Sequence, residues 1–279
     1  MAQKQNNSDH PDSHLHPHAT GPAAKLVEAH QSPAPIRLYS GWFCPFVQRV
    51  WLVLEEKSIP YQYIEVNPYH KPASLLSLNP RGLVPTLETP DSKPLYESNI
   101  ILEYLEDVYP DSGVALRPKD PYVRARGRIW TDFVTSRIVG AYHRFLQFQP
   151  MSDTEGLEKV REEFVGRVRE WAGEIDEKGP YFLGEAPSLV DFVLVPWAVR
   201  LWVFEHWKGG LGIPEEGKGG EDEETWRKWR RWVKAMEGRR SVRETMSERE
   251  HYMPIYQRYA DNKAMSELAK ATRAGRGVP

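Results

Sequence analysis

The stretch IRLYSGWFCPFVQRVWLVLEEKSIPYQYIEV, residues 36–66, changes its hydrophobic period twice. Ile36 to Tyr39 is a short apolar run of strand length, Gly41 permits a turn, and Val47, Val50, Trp51 and Leu54 then recur at helical spacing. After Pro60 the run from Tyr61 to Val66 returns to β-branched and aromatic residues. Strand, amphipathic helix and strand make a βαβ unit, the connection that parallel strands require. Further on come a brief helix around Ala73 to Leu78, a turn at Asn79-Pro80-Arg81-Gly82 and a strand from Leu83 to Glu88. Pro90-Asp91-Ser92 then turns the chain into a partner strand, Lys93 to Glu97. Ile101, Tyr104, Leu105 and Val108 form one apolar stripe of a helix that Pro110 stops. The predicted order βαβαββα is the thioredoxin-like α/β arrangement, a mixed four-stranded sheet covered by helices on both faces.

On either side of this unit the character changes. Residues 1–34 are rich in His, Pro, Ser, Asn and Ala and show no apolar periodicity, so they read as a disordered tail. Its histidines, His10, His14, His16 and His18, are assigned no metal, since composition explains them as solvated side chains. Pro118 to Pro121 reads as a linker, after which strand signals give way to helical periods. Helices are predicted from Pro121 to Phe148, Asp153 to Glu177, Ser188 to Glu205, Glu223 to Glu237, and from Ser241 onward. Lys208 to Glu224, rich in Gly and Glu, reads as a surface insertion. The expected organisation is a tail at 1–34, an α/β domain at 35–117, an all-helical domain at 118–260 and a second tail at 261–279.

Composition narrows the function. The 279 residues carry 37 basic and 39 acidic side chains, a net charge of -2, which offers polyanions no general attraction. Nucleic acid is therefore not an expected partner. Apolar runs fall short of membrane-spanning length, and the N-terminus lacks a signal-peptide pattern, so a cytoplasmic location with no membrane association is expected. The single cysteine, Cys44, forms no internal disulfide and leaves one thiol for chemistry. It stands where the loop from Ser40 to Phe43 meets a helix opening at Pro45. Proline suits the first helical position, so Cys44 is predicted to be the N-cap, with the helix dipole and the N–H groups of Phe46 and Val47 favouring thiolate. Val47 occupies the place of the second cysteine in a Cys-x-x-Cys pair, so an external thiol has to resolve any disulfide formed at Cys44.

Phe43-Cys44-Pro45-Phe46 resembles the catalytic motif of the omega-class, cysteine-type glutathione S-transferases. Lys71-Pro72, the run from Asn79 to Pro85, Glu97-Ser98 and the run from Ser188 to Asp191 follow in that family's order, so the resemblance extends from Ile36 to about Tyr256. It implies the glutathione transferase fold, an α/β glutathione-binding domain followed by an all-α domain. It also implies that Val84, ahead of a cis Pro85, pairs through its backbone with the cysteinyl unit of glutathione. Ser98 and the N–H groups of its helix then hold the γ-glutamyl carboxylate, while Glu97 pairs with the amino group. Lys71 meets the glycyl carboxylate, and Phe46 belongs to the same glutathione site. Trp232 is placed by the resemblance in an acceptor pocket, for which Trp42, Trp130 and Phe133 are further candidate walls.

The resemblance implies an enzyme with glutathione as co-substrate, a hydrophobic or disulfide acceptor, no metal, and a homodimer. The long tail and the 208–224 insertion depart from the family pattern. A thiol in the nucleophile's place favours thiol transfer, deglutathionylation and dehydroascorbate-type reduction over conjugation. Two other readings stay open: a glutathione-dependent etherase or reductive lyase on aromatic substrates, and a non-enzymatic ligand carrier or chloride-intracellular-channel-like protein. Against the channel, Val50 to Leu54 runs straight into Glu55, Glu56 and Lys57. Ser188 and Asp191 read as a structural capping box, and Trp226, Trp229 and Trp232 as helix core behind a basic face.

Overall fold

The computed structural model describes residues 15–150 and 154–279. Its first elements are α1 (Gly21–Ala29), β1 (Ile36–Ser40), α2 (Pro45–Glu56), β2 (Tyr61–Glu65), α3 (Ala73–Leu78), β3 (Thr86–Glu88), β4 (Pro94–Tyr96) and α4 (Ser98–Val108). Helices follow: α5 (Pro121–Phe133), α6 (Gly140–Gln147), α7 (Thr154–Gly173), α8 (Leu189–Ala198), α9 (Trp202–Trp207), α10 (Glu223–Glu237), α11 (Arg240–Glu244), α12 (Arg249–Ala260) and α13 (Glu267–Arg273). They form two compact units, one running to Ala115 and taking in Arg240–Ile255, the other made of Leu116–Arg239 and Tyr256–Pro279.

The first unit carries the expected sheet, in the order β2-β1-β3-β4. β1 and β2 run parallel with Ile36 opposite Tyr61, and β3 joins β1 antiparallel with Leu38 opposite Leu87. β4 completes the edge against β3. The crossover helix α2 is buried on every side from Val47 to Leu54, which suits a helix packed between layers. Trp51 lies against Tyr63 of β2, and its indole N–H donates to the Tyr61 hydroxyl at 2.6 Å. On the other face, Leu75 of α3 packs with Tyr39 and Val66. At the end of α2, Lys57 and Glu106 of α4 form a fully buried ion pair at 2.7 Å. Gly113 passes so close to this turn that a Cβ would lie 2.4 Å from the Glu56 carbonyl oxygen, and its φ of +53° suits glycine.

Three expectations about the ends and boundaries are corrected. The segment at 1–34 is not a disordered tail from residue 15 onward. Ala23, Leu26 and Val27 of α1 are buried, and polar links hold the chain before it. The Trp42 indole donates to the His16 carbonyl at 2.9 Å, and the Ala19 N–H to Glu65 at 2.7 Å. Low apolar content hid a segment fastened largely by hydrogen bonds. His16 and His18 are engaged with the His18 carbonyl and with Glu65; His10 and His14 lie outside the described residues.

The expected all-helical domain at 118–260 gives up Arg240–Ile255 to the first unit. There the Gln48 amide donates to the Thr245 hydroxyl at 3.0 Å, the Ala23 N–H reaches the Met246 carbonyl, and Ser241 donates to Glu56. The expected tail at 261–279 contains α13, which Ser266 caps through the Ala269 N–H and which buries Leu268, Ala269 and Ala271.

In the second unit, α5 continues into α6 through a π-helical turn at Val134–Val139, so one predicted helix contains a wider turn. The predicted helix from Ser188 to Glu205 instead divides between α8 and α9. Pro196, inside α8, has no N–H to continue the hydrogen-bond ladder. Phe145 and Phe204 stack at 4.3 Å in the core, and Trp171, Trp229 and Trp232 form a second aromatic group. Outside, Arg227 pairs with Glu224 and Arg230 with Glu223, so α10 has an aromatic inner and an ion-paired outer face.

Candidate active site

Cys44 caps α2 with an extended backbone, and Pro45 occupies the first turn as its missing N–H allows. The loop is closed by the Cys44 N–H donating to the Gly41 carbonyl at 2.9 Å. The half-buried thiol is turned toward the Val84 carbonyl at 3.9 Å. The dipole of α2 favours negative charge there.

Val84 precedes a cis proline, Pro85, at the entry to β3. The next part of the site is the start of α4. Glu97 is its N-cap in a left-handed conformation, φ +70°, which a non-glycine side chain adopts at a cost of about 1–3 kcal/mol. That conformation leaves the Glu97 carboxylate half-exposed beside Arg81 at 3.2 Å, while Ser98 is buried. The Ser98 hydroxyl accepts from the guanidinium of Arg49, which also donates to the Asn99 side-chain oxygen, both at 3.2 Å. Lys71 extends over Gly82 and donates to the Arg81 carbonyl at 2.8 Å. Two groups are thus brought together: the thiol with the Val84 carbonyl, and Lys71, Arg81 and Glu97 in a chain of polar contacts that ends in one ion pair.

Comparison with known proteins decides the family. Residues 43–108 match "Glutathione S-transferase, N-terminal domain" and residues 154–235 match "Glutathione S-transferase, C-terminal domain". The chain is 37% identical over 191 residues to the glutathione S-transferase omega-1 of Sus scrofa, covering 66% of this chain and 77% of that one. It belongs to the glutathione S-transferase family, on the omega-class branch. The glutathione transferase Omega 3C of Trametes versicolor is 42% identical, with a TM-score of 0.77, over 89% of this chain and 100% of that one. The pyrimidodiazepine synthase of Drosophila melanogaster is 35% identical over 178 residues, 62% of this chain and 68% of that one. Rice GST1, solved in complex with glutathione, shares the fold at 23% identity and a TM-score of 0.69, over 84% of this chain and 100% of that one.

The transferase does not present all four candidate acceptor walls as surface. Trp232 is fully buried in α10, and its indole N–H donates to Asp191 at 2.8 Å, so it supports the core instead of lining a pocket. The flanking resemblance located it on the right helix but did not reveal which face it occupies. Trp42 is 3% exposed, set edge-on to Phe43 and Tyr252 and tied to His16. Trp130 and Phe133 are half-buried, 5.0 Å apart, with Phe182 beside Trp130, and keep apolar surface available. Asp191 takes donors from Ser188, Phe182 and Trp232 at 2.7–2.8 Å, and burial raises its pKa despite those bonds. Its role is the structural one expected of a capping box.

Sequence reasoning gave Arg49 no role in the site. It lies in the buried run of α2, 1% exposed, with its guanidinium 5.1 Å from the Phe46 ring. Burial pulls its pKa down to about 9, while negative charge on Cys44 acts the other way. The available signal was an arginine inside an apolar stretch, a residue type seldom buried without a partner.

Proposed function

We propose that this transferase moves glutathionyl groups through a mixed disulfide at Cys44. The observation that carries the proposal is a lone thiol at the N-cap of α2, facing the carbonyl of Val84 beside Pro85. The Cys44 thiolate attacks the glutathionyl sulfur of a mixed disulfide, the old S–S bond breaks, and the acceptor leaves as its own thiolate. A second glutathione thiolate then attacks the Cys44 disulfide, forming glutathione disulfide and returning the Cys44 thiolate. Dehydroascorbate-type reduction draws its two electrons and two protons from two glutathione molecules in the same way.

The glutathione is held by the Val84 backbone, by Ser98 and the opening N–H groups of α4, and by Glu97 at its amino group. Lys71 takes the glycyl carboxylate and Phe46 contributes an apolar contact. Arg81 and Glu97 release one another when the ligand supplies each with a new partner. A reducing cytoplasmic setting keeps such a thiol usable. No described helix is long and apolar enough to cross a membrane.

The test is glutathione-dependent reduction of a small mixed disulfide by wild type and Cys44→Ala, with intact mass measured after exposure to glutathione disulfide. Turnover and a Cys44 adduct, both lost in Cys44→Ala, are expected. Turnover that survives Cys44→Ala, or wild type with neither turnover nor adduct, overturns the proposal.

The active form is proposed to be a homodimer. Ile100 and Val108 of α4 stand 56% and 47% exposed, and Tyr96 of the edge strand β4 43%. On α5 of the second unit Tyr122 and Ile129 reach 78% and 66%. Large apolar side chains left in water, on each unit by itself, are the material of a subunit interface.

A further inference from the structure

Arg49 belongs to α2, five residues beyond Cys44, and helical side chains lean back toward the N-terminus. Its guanidinium accordingly lies over Phe46, three residues earlier, and reaches the first two residues of α4. A cation is thereby buried where the positive ends of two helix dipoles oppose it. Such a position costs stability unless negative charge is present nearby. Under the reading that Cys44 is the nucleophile and α4 receives a carboxylate, both halves of the site bring that charge.

We infer that Arg49 is a positioning residue shared by the two halves of the glutathione site, its buried charge favouring the Cys44 thiolate and its N–H groups orienting Ser98 and Asn99. The hydrogen-bond directions support the second role. Because the Ser98 oxygen accepts from Arg49, its own hydrogen is left to donate to a bound carboxylate. Asn99 accepts through its side-chain oxygen, so its NH2 group is turned away from the guanidinium. The planar fork of an arginine reaches both residues at once, which an ammonium does with less defined geometry.

The first role rests on placement: Arg49 stands on the helix that Cys44 caps, with its guanidinium over Phe46 in the first turn, so negative charge at Cys44 and the buried cation favour one another. Ionisable groups on the surrounding elements include Arg37 and Tyr39 on β1, Tyr63 and Glu65 on β2, Glu88 on β3, Glu97 before α4, Glu103, Tyr104, Glu106 and Asp107 on α4, Tyr252 on α12, and Lys71 and Arg81 in the loops. Tyr63 stays neutral, since burial and then Glu65 and Cys44 push its pKa upward. Among these groups the cations Lys71 and Arg81 are bound up with the Arg81 carbonyl and Glu97.

The experiment reads the thiol without requiring turnover. Iodoacetamide alkylation of Cys44 is followed against pH in wild type, Arg49→Gln and Arg49→Lys, alongside KM for glutathione. Gln keeps an amide donor toward Ser98 but no charge; its alkylation midpoint is expected to rise by about one pH unit, a tenfold loss of thiolate near neutrality. Lys keeps the charge without the fork, so its midpoint stays near wild type while KM rises severalfold. Coincident midpoints for wild type and Arg49→Gln overturn the inference. If that variant does not fold, salt dependence decides on wild type. A buried partner leaves the midpoint unmoved between low and high salt, whereas a midpoint climbing toward that of a free thiol assigns the effect to exposed charges and overturns the inference. A wild type that alkylates as expected but does not transfer thiols would refute the proposed activity and leave the charge relation standing.

Discussion

His143 shows how much a single side chain can hold in reserve. It is 3% exposed on α6 between the rings of Tyr142 and Tyr259, and neither ring nitrogen has a hydrogen-bond partner among the described residues. Burial alone pushes its pKa down to about 3 from the ordinary 6.5. The folded state therefore holds the neutral ring while the unfolded chain takes a proton, so stability is intact above about pH 6.5. It falls as the pH drops from there toward 3, by at most about 1.4 kcal/mol per unit from this group. His143→Phe is expected to fold as well as wild type at pH 7, because an apolar ring loses no bond there. Its melting temperature should decline less than that of wild type between pH 6.5 and 4.5. Parallel declines would show that His143 is not the acid-sensitive group.

At the scale of elements, the position of Cys44 depends on α2, and α2 depends on its far end. Lys57 and Glu106 tie that end to α4, the helix that also carries Ser98. Removing one partner strands a buried charge, at a cost of about 3–5 kcal/mol, whereas replacing both with apolar residues is far milder. Lys57→Met and Glu106→Leu should each lower the denaturation midpoint sharply, and the double variant should recover most of the loss. Additive losses in urea titrations would mean that the pair is not coupled. The elements themselves were largely legible, because Val47, Val50, Trp51 and Leu54 repeat at 3.6 residues and the cis proline follows a turn. The ion pair was not legible, since 49 positions of chain separate Lys57 from Glu106 and nothing local links them.

For the molecule as a whole, the exposed apolar side chains bear on assembly. A chain of 32.2 kDa with apolar side chains exposed on α4 and α5 is expected to elute at about twice that mass in light scattering. Ile100→Glu should place a charge in the proposed interface and yield a folded monomer. A wild-type monomer at working concentration would remove the dimer from the account.

Some of this protein was determined by its sequence alone. The βαβαββα order, the thiol at a helix N-terminus and the family itself follow from local period, from Pro45 and Pro85, and from motifs in order. Those signals act over a few residues, so they can be read without a partner in space. Only the tertiary structure decided that α1 and Arg240–Ile255 join the α/β unit, that Trp232 faces inward onto Asp191, and that Arg49 spans from Phe46 to Ser98. Each depends on which distant groups meet, and burial and charge compensation between distant groups leave no period in the chain.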